Sequence, residues 1–170
     1  MKYALLGLVL ENIYDRPYCE IIADYLGELG MTNSSFQTHQ GDLGRCWTWE
    51  ETDAYAPAGA IQSDIMDMLK YASLQLSDNP IIRTHEPLYH IGYSNGDLDA
   101  MNIHIDDIGM AWIIDNENGF IWHNGGTADY NSYMGFCRET GTAVVILSNL
   151  PDDYRISATE IGAKLLAEIQ

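Results

Sequence analysis

The sequence predicts an α+β fold, an antiparallel β-sheet meander flanked by helices. Two observations carry that prediction. Residues 119–149, GFIWHNGGTADYNSYMGFCRETGTAVVILSN, read as successive strands joined by short connections ending in Gly. Both ends of the chain carry apolar residues at helical spacing. Helices, then sheet, then helix is an α+β order.

From the start, Tyr3, Leu6, Leu10, Ile13 and Tyr14 predict a helix over 2–14, broken by Asp15-Arg16-Pro17. Pro17 suits the first turn of a second helix, with Ile21, Ile22, Tyr25, Leu26 and Leu29 as its apolar positions and Gly30 as its stop. Residues 31–53 are polar and turn-rich, with a short strand expected at Arg45–Trp49. After the tight loop Ala56-Pro57-Ala58-Gly59-Ala60, Ser63 reads as the N-cap of a third helix. Its stripe is Ile65, Met68, Leu69, Ala72 and Leu76, and Asp78-Asn79-Pro80 ends it. A strand is expected within Thr84–Tyr93 and a turn at Asn95-Gly96-Asp97.

Met110–Ile114 then opens a meander of about four strands, continued by the strand before His123, by Asn131–Arg138 and by Thr142–Leu147. Thr142–Leu147 is almost wholly apolar and β-branched, which reads as a central strand covered on both faces. Pro151-Asp152-Asp153 is expected to open the last helix, whose Ala158, Ile161, Leu165 and Ile169 form one stripe to lay against the sheet. With no internal repeat or linker, residues 1–170 read as a single domain.

Composition narrows the partners. The chain has 170 residues, 46% hydrophobic, enough for a real core. Its formal charge is −17, from 8 basic and 25 acidic residues, which argues against nucleic acid and against a membrane surface, since both call for a basic face. No run is long enough to span a bilayer. MKYALLGLVL imitates the start of a signal peptide, but Glu11, Asn12 and Asp15 follow at once and no small-x-small cleavage site appears. An amphipathic helix is the reading, and localisation stays undefined.

Cys19, Cys46 and Cys137 form no C-x-x-C, and Cys19 and Cys137 sit in apolar segments as small buried hydrophobes. His104 with Asp106 and Asp107 reads either as a loose metal-ligand group or as surface residues. No cofactor and no metal is expected.

The chemical feature is His123-Asn124-Gly125-Gly126-Thr127, where the first strand of 119–149 ends. Alone, His123 reads as a strand-end residue bonded to backbone. Its surroundings change that reading. YALLGLVLENIYDRPYCEIIADYLGELGM resembles the helix pair that follows the Tyr-x-Asn motif of serine β-lactamase-like proteins, the superfamily of class C β-lactamases, penicillin-binding DD-peptidases and related esterases. APAGAIQSDIMDMLKYASL resembles the Pro-Ala-Gly-Gly loop and following helix of that family, and IGMAW its Gly-Leu-Gly-Trp strand. HNGGTADYNSYMGF resembles its His-x-Gly-Gly-Thr segment, and AVVILSN its penultimate core strand.

The resemblance implies acyl transfer through a serine, on a β-lactam, a D-amino peptide or an ester. His123 would present a positive or hydrogen-bonding group, Asn124 would contact a substrate carboxylate or amide, and the N–H of Gly126 would be an oxyanion-hole donor. Gly125 and Thr127 would line the substrate, Thr127 alternatively closing the turn. Asp129 stands where the family has Gly.

The catalytic start of the family is missing. Among the three lysines, Lys70 and Lys164 have Asp67 and Ile161 three residues before them and Lys2 has none, so no Ser-x-x-Lys occurs. Tyr93-Ser94-Asn95 spells Tyr-x-Asn but lies after the third helix and, with Gly96 following, reads as a turn. A nucleophile needs its base beside it. The sequence therefore reads as the C-terminal portion of such a hydrolase, inactive alone, whose partner is the missing N-terminal half. The second reading is a non-catalytic module that binds or associates with a second copy of itself, through a sheet edge left uncovered. A third, an unrelated hydrolase using His123 with Asp129 or Asp106, lacks a placed nucleophile.

Overall fold

The computed structural model describes residues 2–36, 47–150 and 156–169. The chain opens with helices α1 (Lys2–Tyr14) and α2 (Tyr18–Glu28). Pro17 precedes the first residue of α2 and Gly30 ends it, as expected. Gly30 takes φ +68°. Its N–H bonds to the Gly27 carbonyl at 3.0 Å and that of Met31 to Leu26 at 2.9 Å. That is a Schellman stop, which needs a left-handed residue and so favours glycine.

The predicted stripe on α1 faces inward only in part, at the half-buried Tyr3 and Leu10. The helix buries Ala4 and Gly7 and leaves Leu6, Ile13 and Tyr14 exposed. The reason is the turn Ala56–Ala58: a Cβ on Gly7 would lie 2.2 Å from Pro57 Cγ, so only the small-residue side of α1 fits against it.

Ser35–Phe36 (β1) pairs with Ile61–Gln62 (β2), a short ladder that the polar composition of 31–53 conceals. Of the strand expected at 45–49, Arg45 and Cys46 lie outside the described residues, and Trp47 to Trp49 are not in a strand. Helix α3 (Ile65–Leu76) is capped by Asp64, whose side chain accepts from the Asp67 N–H, and not by Ser63. The Ser63 hydroxyl instead meets that of Ser34 at 2.7 Å.

Asp67 is fully buried inside α3. It accepts from the Asn33 N–H at 2.7 Å, the Ser34 hydroxyl at 2.9 Å and the Lys70 ammonium at 2.7 Å. The Lys70 bond, helped by Ser34 and Asn33, holds its carboxyl below the usual range against the effect of burial. Lys70 also donates to the Gly30 carbonyl at 2.6 Å, so one carboxylate ties α2 to α3. Asp67→Ala strands three donors at once and is expected to lower Tm by on the order of 10 °C. Calorimetry checks this, and an unchanged Tm would remove Asp67 from the framework.

Next come a 3-10 turn, Pro80–His85, then β3 (Tyr89–Tyr93) and helix α4 (Gly96–Met101). Asn95 is the N-cap of α4, accepting from the N–H groups of Asp97 and Leu98, so the Asn-Gly-Asp signal starts a helix and does not make a free turn. Strands β4 (Ile105–Ile108), β5 (Ile113–Asp115), β6 (Phe120–Thr127), β7 (Tyr130–Cys137) and β8 (Thr142–Ser148) follow, and helix α5 (Ala158–Glu168) closes the chain. Ser157 caps α5. The Pro151-Asp152-Asp153 start lies outside the described residues.

The antiparallel meander is confirmed and is longer than predicted. Six strands lie in the order β3-β4-β5-β6-β7-β8, each paired with its neighbour in sequence. β8 is an outer strand of that sheet, not a central one. It is covered on both faces as expected, α3 packing on one and α5 on the other, and that coverage accounts for its apolar composition. Strand alternation divides the core accordingly. Phe120, Trp122 and Tyr133 join Ala158, Ala163 and Leu166 on the α5 side, while Met134 and Phe136 join Ala72 and Trp112 on the α3 side. Cys137 is buried in the first cluster and Cys19 is half-buried beside Tyr18.

The stripe predicted for α5 is also misplaced: Ile161, Leu165 and Ile169 are exposed, and Ala158, Gly162, Ala163 and Leu166 face the sheet. Tyr133 decides this, because its ring occupies the space where a side chain at 162 would be. On α3, Ala72 is buried and Met68 and Leu76 pack inward, but Ile65 and Leu69 stay exposed while Asp67 and Gln75 take inner positions.

Candidate functional site

β6 is half-paired, and that creates the site. On one side it pairs with β7 from Ile121 to Thr127. On the other, β5 reaches only Phe120–Trp122. Residues 123–127, the His-Asn-Gly-Gly-Thr segment, therefore run along an edge with no strand partner on the β5 side of the described sheet. Alternate backbone N–H and C=O groups of such an edge point outward, available to a ligand. Asn124, Gly125 and Gly126 are exposed there, and His123 and Thr127 half-buried.

The side chains separate by strand alternation. His123 points toward α1, where its Nε2 lies 3.0 Å from the Tyr3 hydroxyl. Asn124 points to the opposite face and its Nδ2 donates to Thr159 Oγ1 of α5 at 2.9 Å. The two side chains expected to share a substrate are thus not brought together, although their backbones are adjacent on the open edge. Thr127 packs against the Pro-Ala-Gly loop: a Cβ on Gly59 would lie 2.9 Å from its methyl group. Gly125 faces Ser132, whose hydroxyl would be 3.3 Å from a Cβ there. Ala128 and Asp129 make the turn to β7, with Ala128 at φ +51° and Asp129 buried.

A groove of about 520 Å³ opens beside Gly125, Gly126 and Thr127, lined also by Ser63, Ser132 and Ser148. His123 stands just outside it. A larger groove, about 640 Å³, runs between α1 and residues 51–57 and contains none of the predicted residues. Chemistry favours the smaller one, since glycine backbone on an open strand edge is what an acyl oxygen can approach.

Electrostatics select the form of His123. Burial pushes its pKa down, the bond of its ring with the Asn124 backbone opposes this, and the Lys2 charge lowers it further. Of the two roles expected from the resemblance, the neutral hydrogen-bonding one fits this environment better than the cationic one. Burial pushes the Tyr3 hydroxyl pKa up, so it too is neutral near pH 7.

The loose group of His104, Asp106 and Asp107 disperses. His104 Nε2 lies 3.4 Å from Glu117, Asp106 accepts from the Asn116 N–H, and Asp107 pairs with the exposed His90 at 2.8 Å. Among the described residues no three His, Cys, Asp or Glu side chains gather as a metal site, and no helix is long and apolar enough to cross a membrane. Tyr93-Ser94-Asn95 lies at the end of β3, its Asn engaged as the α4 cap. Two contacts went unpredicted, Tyr3 on His123 and Thr159 on Asn124. In the sequence Tyr3 reads as part of an apolar stripe, and its approach to His123 depends on tertiary packing that spacing does not encode.

An open-edged His-x-Gly-Gly strand, packed between one helix on each face and beside a Pro-Ala-Gly loop, is an arrangement of the serine β-lactamase-like fold. The Beta-lactamase family model matches residues 1–167, and the chain belongs to that family. No curated protein matches it. Solved structures do. The β-lactamase/D-alanine carboxypeptidase from Yersinia pestis complexed with citrate superposes with a TM-score of 0.73 at 21% identity, covering 98% of this chain and 53% of that one. The octameric penicillin-binding protein homologue from Pyrococcus abyssi gives 0.77 at 21%, with 98% and 41% covered. The D-amino acid amidase from Ochrobactrum anthropi SV3 gives 0.62 at 18%, with 98% and 55% covered. The chain thus spans about half the length of each of these proteins.

Proposed function

We propose that residues 1–170 act as a single domain carrying one wall of a serine acyl-transfer site, for a β-lactam, a D-amino peptide or amide, or an ester. The observation that carries this reading is the open β6 edge, residues 123–127, beside the groove at Gly125–Thr127. In it the Gly126 N–H is an oxyanion donor and the backbone of Asn124 and Gly125 aligns the substrate as an added strand would. Thr127 seats the Pro-Ala-Gly loop at the groove. His123 contributes a neutral hydrogen-bonding group. The nucleophile and its base come from outside these 170 residues, in which Ser-x-x-Lys does not occur. The isolated chain is then inactive, and its partner is the polypeptide that completes the fold.

The second reading is a non-catalytic module that associates with itself. It is favoured by the outer edge of β8, a strand without a charged residue, and by the exposed apolar residues of α1 and α5. The octameric state of the Pyrococcus abyssi homologue supports the same idea.

Intact-mass measurement after treatment with a penicillin or a fluorophosphonate separates the two. The isolated chain is expected to stay unlabelled, and the chain expressed together with the polypeptide upstream of it to gain one acyl or phosphonyl adduct. Labelling of the isolated chain would overturn the idea of an outside nucleophile, and no labelling of the joined protein would overturn the hydrolase reading. Light scattering well above 19.1 kDa for the isolated chain would favour self-association.

A further inference from the structure

Resting on the acyl-transfer reading of the β6 edge, we propose that Tyr3 is a positioning residue of that site, holding His123 in one tautomer and fixing α1 against the open strand. The Tyr3 hydroxyl lies 3.0 Å from His123 Nε2. The two rings meet edge to face, 6.3 Å between centres at 76°. This geometry makes the hydroxyl and Nε2 partners in one hydrogen bond. Both groups are neutral, because burial disfavours phenolate and imidazolium alike. A neutral phenol has one proton to give and a neutral imidazole one lone pair to receive it. With the ring proton on Nδ1, the side of the ring nearer its own backbone, Tyr3 donates to Nε2; with the proton on Nε2 the phenol oxygen accepts, and the positioning role belongs to the first arrangement.

The consequence lies in the strand. His123 is anchored at Nε2 through α1, at the first residue of the unpaired edge. Tyr3 and Lys2, both on α1, are the titratable groups that act on the ring. Rotation of the imidazole would cost this bond and loosen α1 against the strand that leads into the donors at Gly125 and Gly126. The tyrosine acts through His123 and does not itself touch a substrate in this role.

Tyr3→Phe removes the hydroxyl and keeps the ring packing. The ¹⁵N shifts of the His123 ring are the direct readout, taken on the 170-residue chain alongside its Tm. The native ring is expected to show one tautomer, protonated at Nδ1, and the Phe variant a mixture with Nε2–H populated, at unchanged Tm. The same tautomer in both proteins would overturn the proposal. A second arm measures fluorophosphonate labelling of the protein joined to its upstream polypeptide. There Tyr3→Phe is expected to slow labelling by on the order of tenfold, in keeping with loss of one positioning hydrogen bond. Equal labelling rates would overturn the positioning role. If the joined native protein takes no label at all, the hydrolase reading fails instead, and the tautomer measurement alone decides what Tyr3 does.

Discussion

Gly162→Ala is expected to destabilise this protein by about 3 kcal/mol, the reverse of what helix propensity dictates. Alanine in a helix interior is favoured over glycine by about 1 kcal/mol. At this position the added Cβ would lie 2.0 Å from Tyr133 Cδ1 and 2.6 Å from Cε1 and Cγ. The ring cannot retreat. Tyr133 is 1% exposed, stacked on Trp122 with ring centres 5.9 Å apart, and a Cβ on Gly135 would already meet its hydroxyl at 2.2 Å. α5 must lift from β7 and β8, losing the burial of Ala158, Ala163 and Leu166. Tm should fall by about 10 °C. Adding Tyr133→Leu should recover part of the loss, because the two substitutions share one contact. Tyr133→Phe alone should cost little, since its buried hydroxyl has no hydrogen-bond partner among the described residues. Full native stability in Gly162→Ala would show that the helix does not rest on this ring.

The second large effect is acid destabilisation through His85. The residue is 7% exposed, lies 2.8 Å from Gln75 Oε1 through Nε2, and has its ring centre 4.9 Å from that of Phe136 and 6.0 Å from that of Trp112. Burial, and then the positive charge of Arg138, pushes its pKa down to about 4. The sign follows from linkage. Above about pH 6.5 the imidazole is neutral in both folded and unfolded chains, and stability does not depend on it. Between pH 6.5 and about 4 the unfolded chain takes up a proton that the folded chain refuses, so stability falls as pH falls. Below about 4 the loss levels off, at on the order of 3 kcal/mol. Urea unfolding at pH 7, 5.5 and 4.5 measures it. The carboxylates add their own dependence, so the native curve is compared with that of His85→Phe, expected to be less stable at pH 7 and flatter below it. Parallel curves would exclude His85.

How much of this could be read from residues alone depends on which forces are local. Gly30, the hairpin glycines and the alternation of 119–149 are local signals, and the elements they predict are present. Burial direction is not local. α1, α3 and α5 each offer more apolar positions than a single face can bury, and the choice falls to shape: Pro57 selects the Gly7 side of α1, and Tyr133 the Gly162 side of α5. A stripe count that weights size picks Leu and Ile and misses the small residues against which helices approach closely. The outer place of β8 is hidden for a related reason. Apolarity on both faces measures helices above and below, and says nothing of strands to left and right. At the site, the segment 123–127 is legible from its residue types and the opposite orientations of His123 and Asn124 follow from strand alternation, but their partners are not local: Tyr3 lies on α1, far from His123 in the chain, and Thr159 on α5.

The sequential order of the six strands has a kinetic consequence. Each ladder from β3 to β8 closes over a short stretch of chain, so the loop-closure entropy of every pairing is small and contact order within the sheet is low. The sheet can grow one hairpin at a time as the chain is made. Helix α5 cannot take part until the end, yet it supplies the surface that covers Trp122 and Tyr133. Substitutions inside the hairpins should therefore slow folding, whereas those under α5, Gly162 among them, should mainly accelerate unfolding.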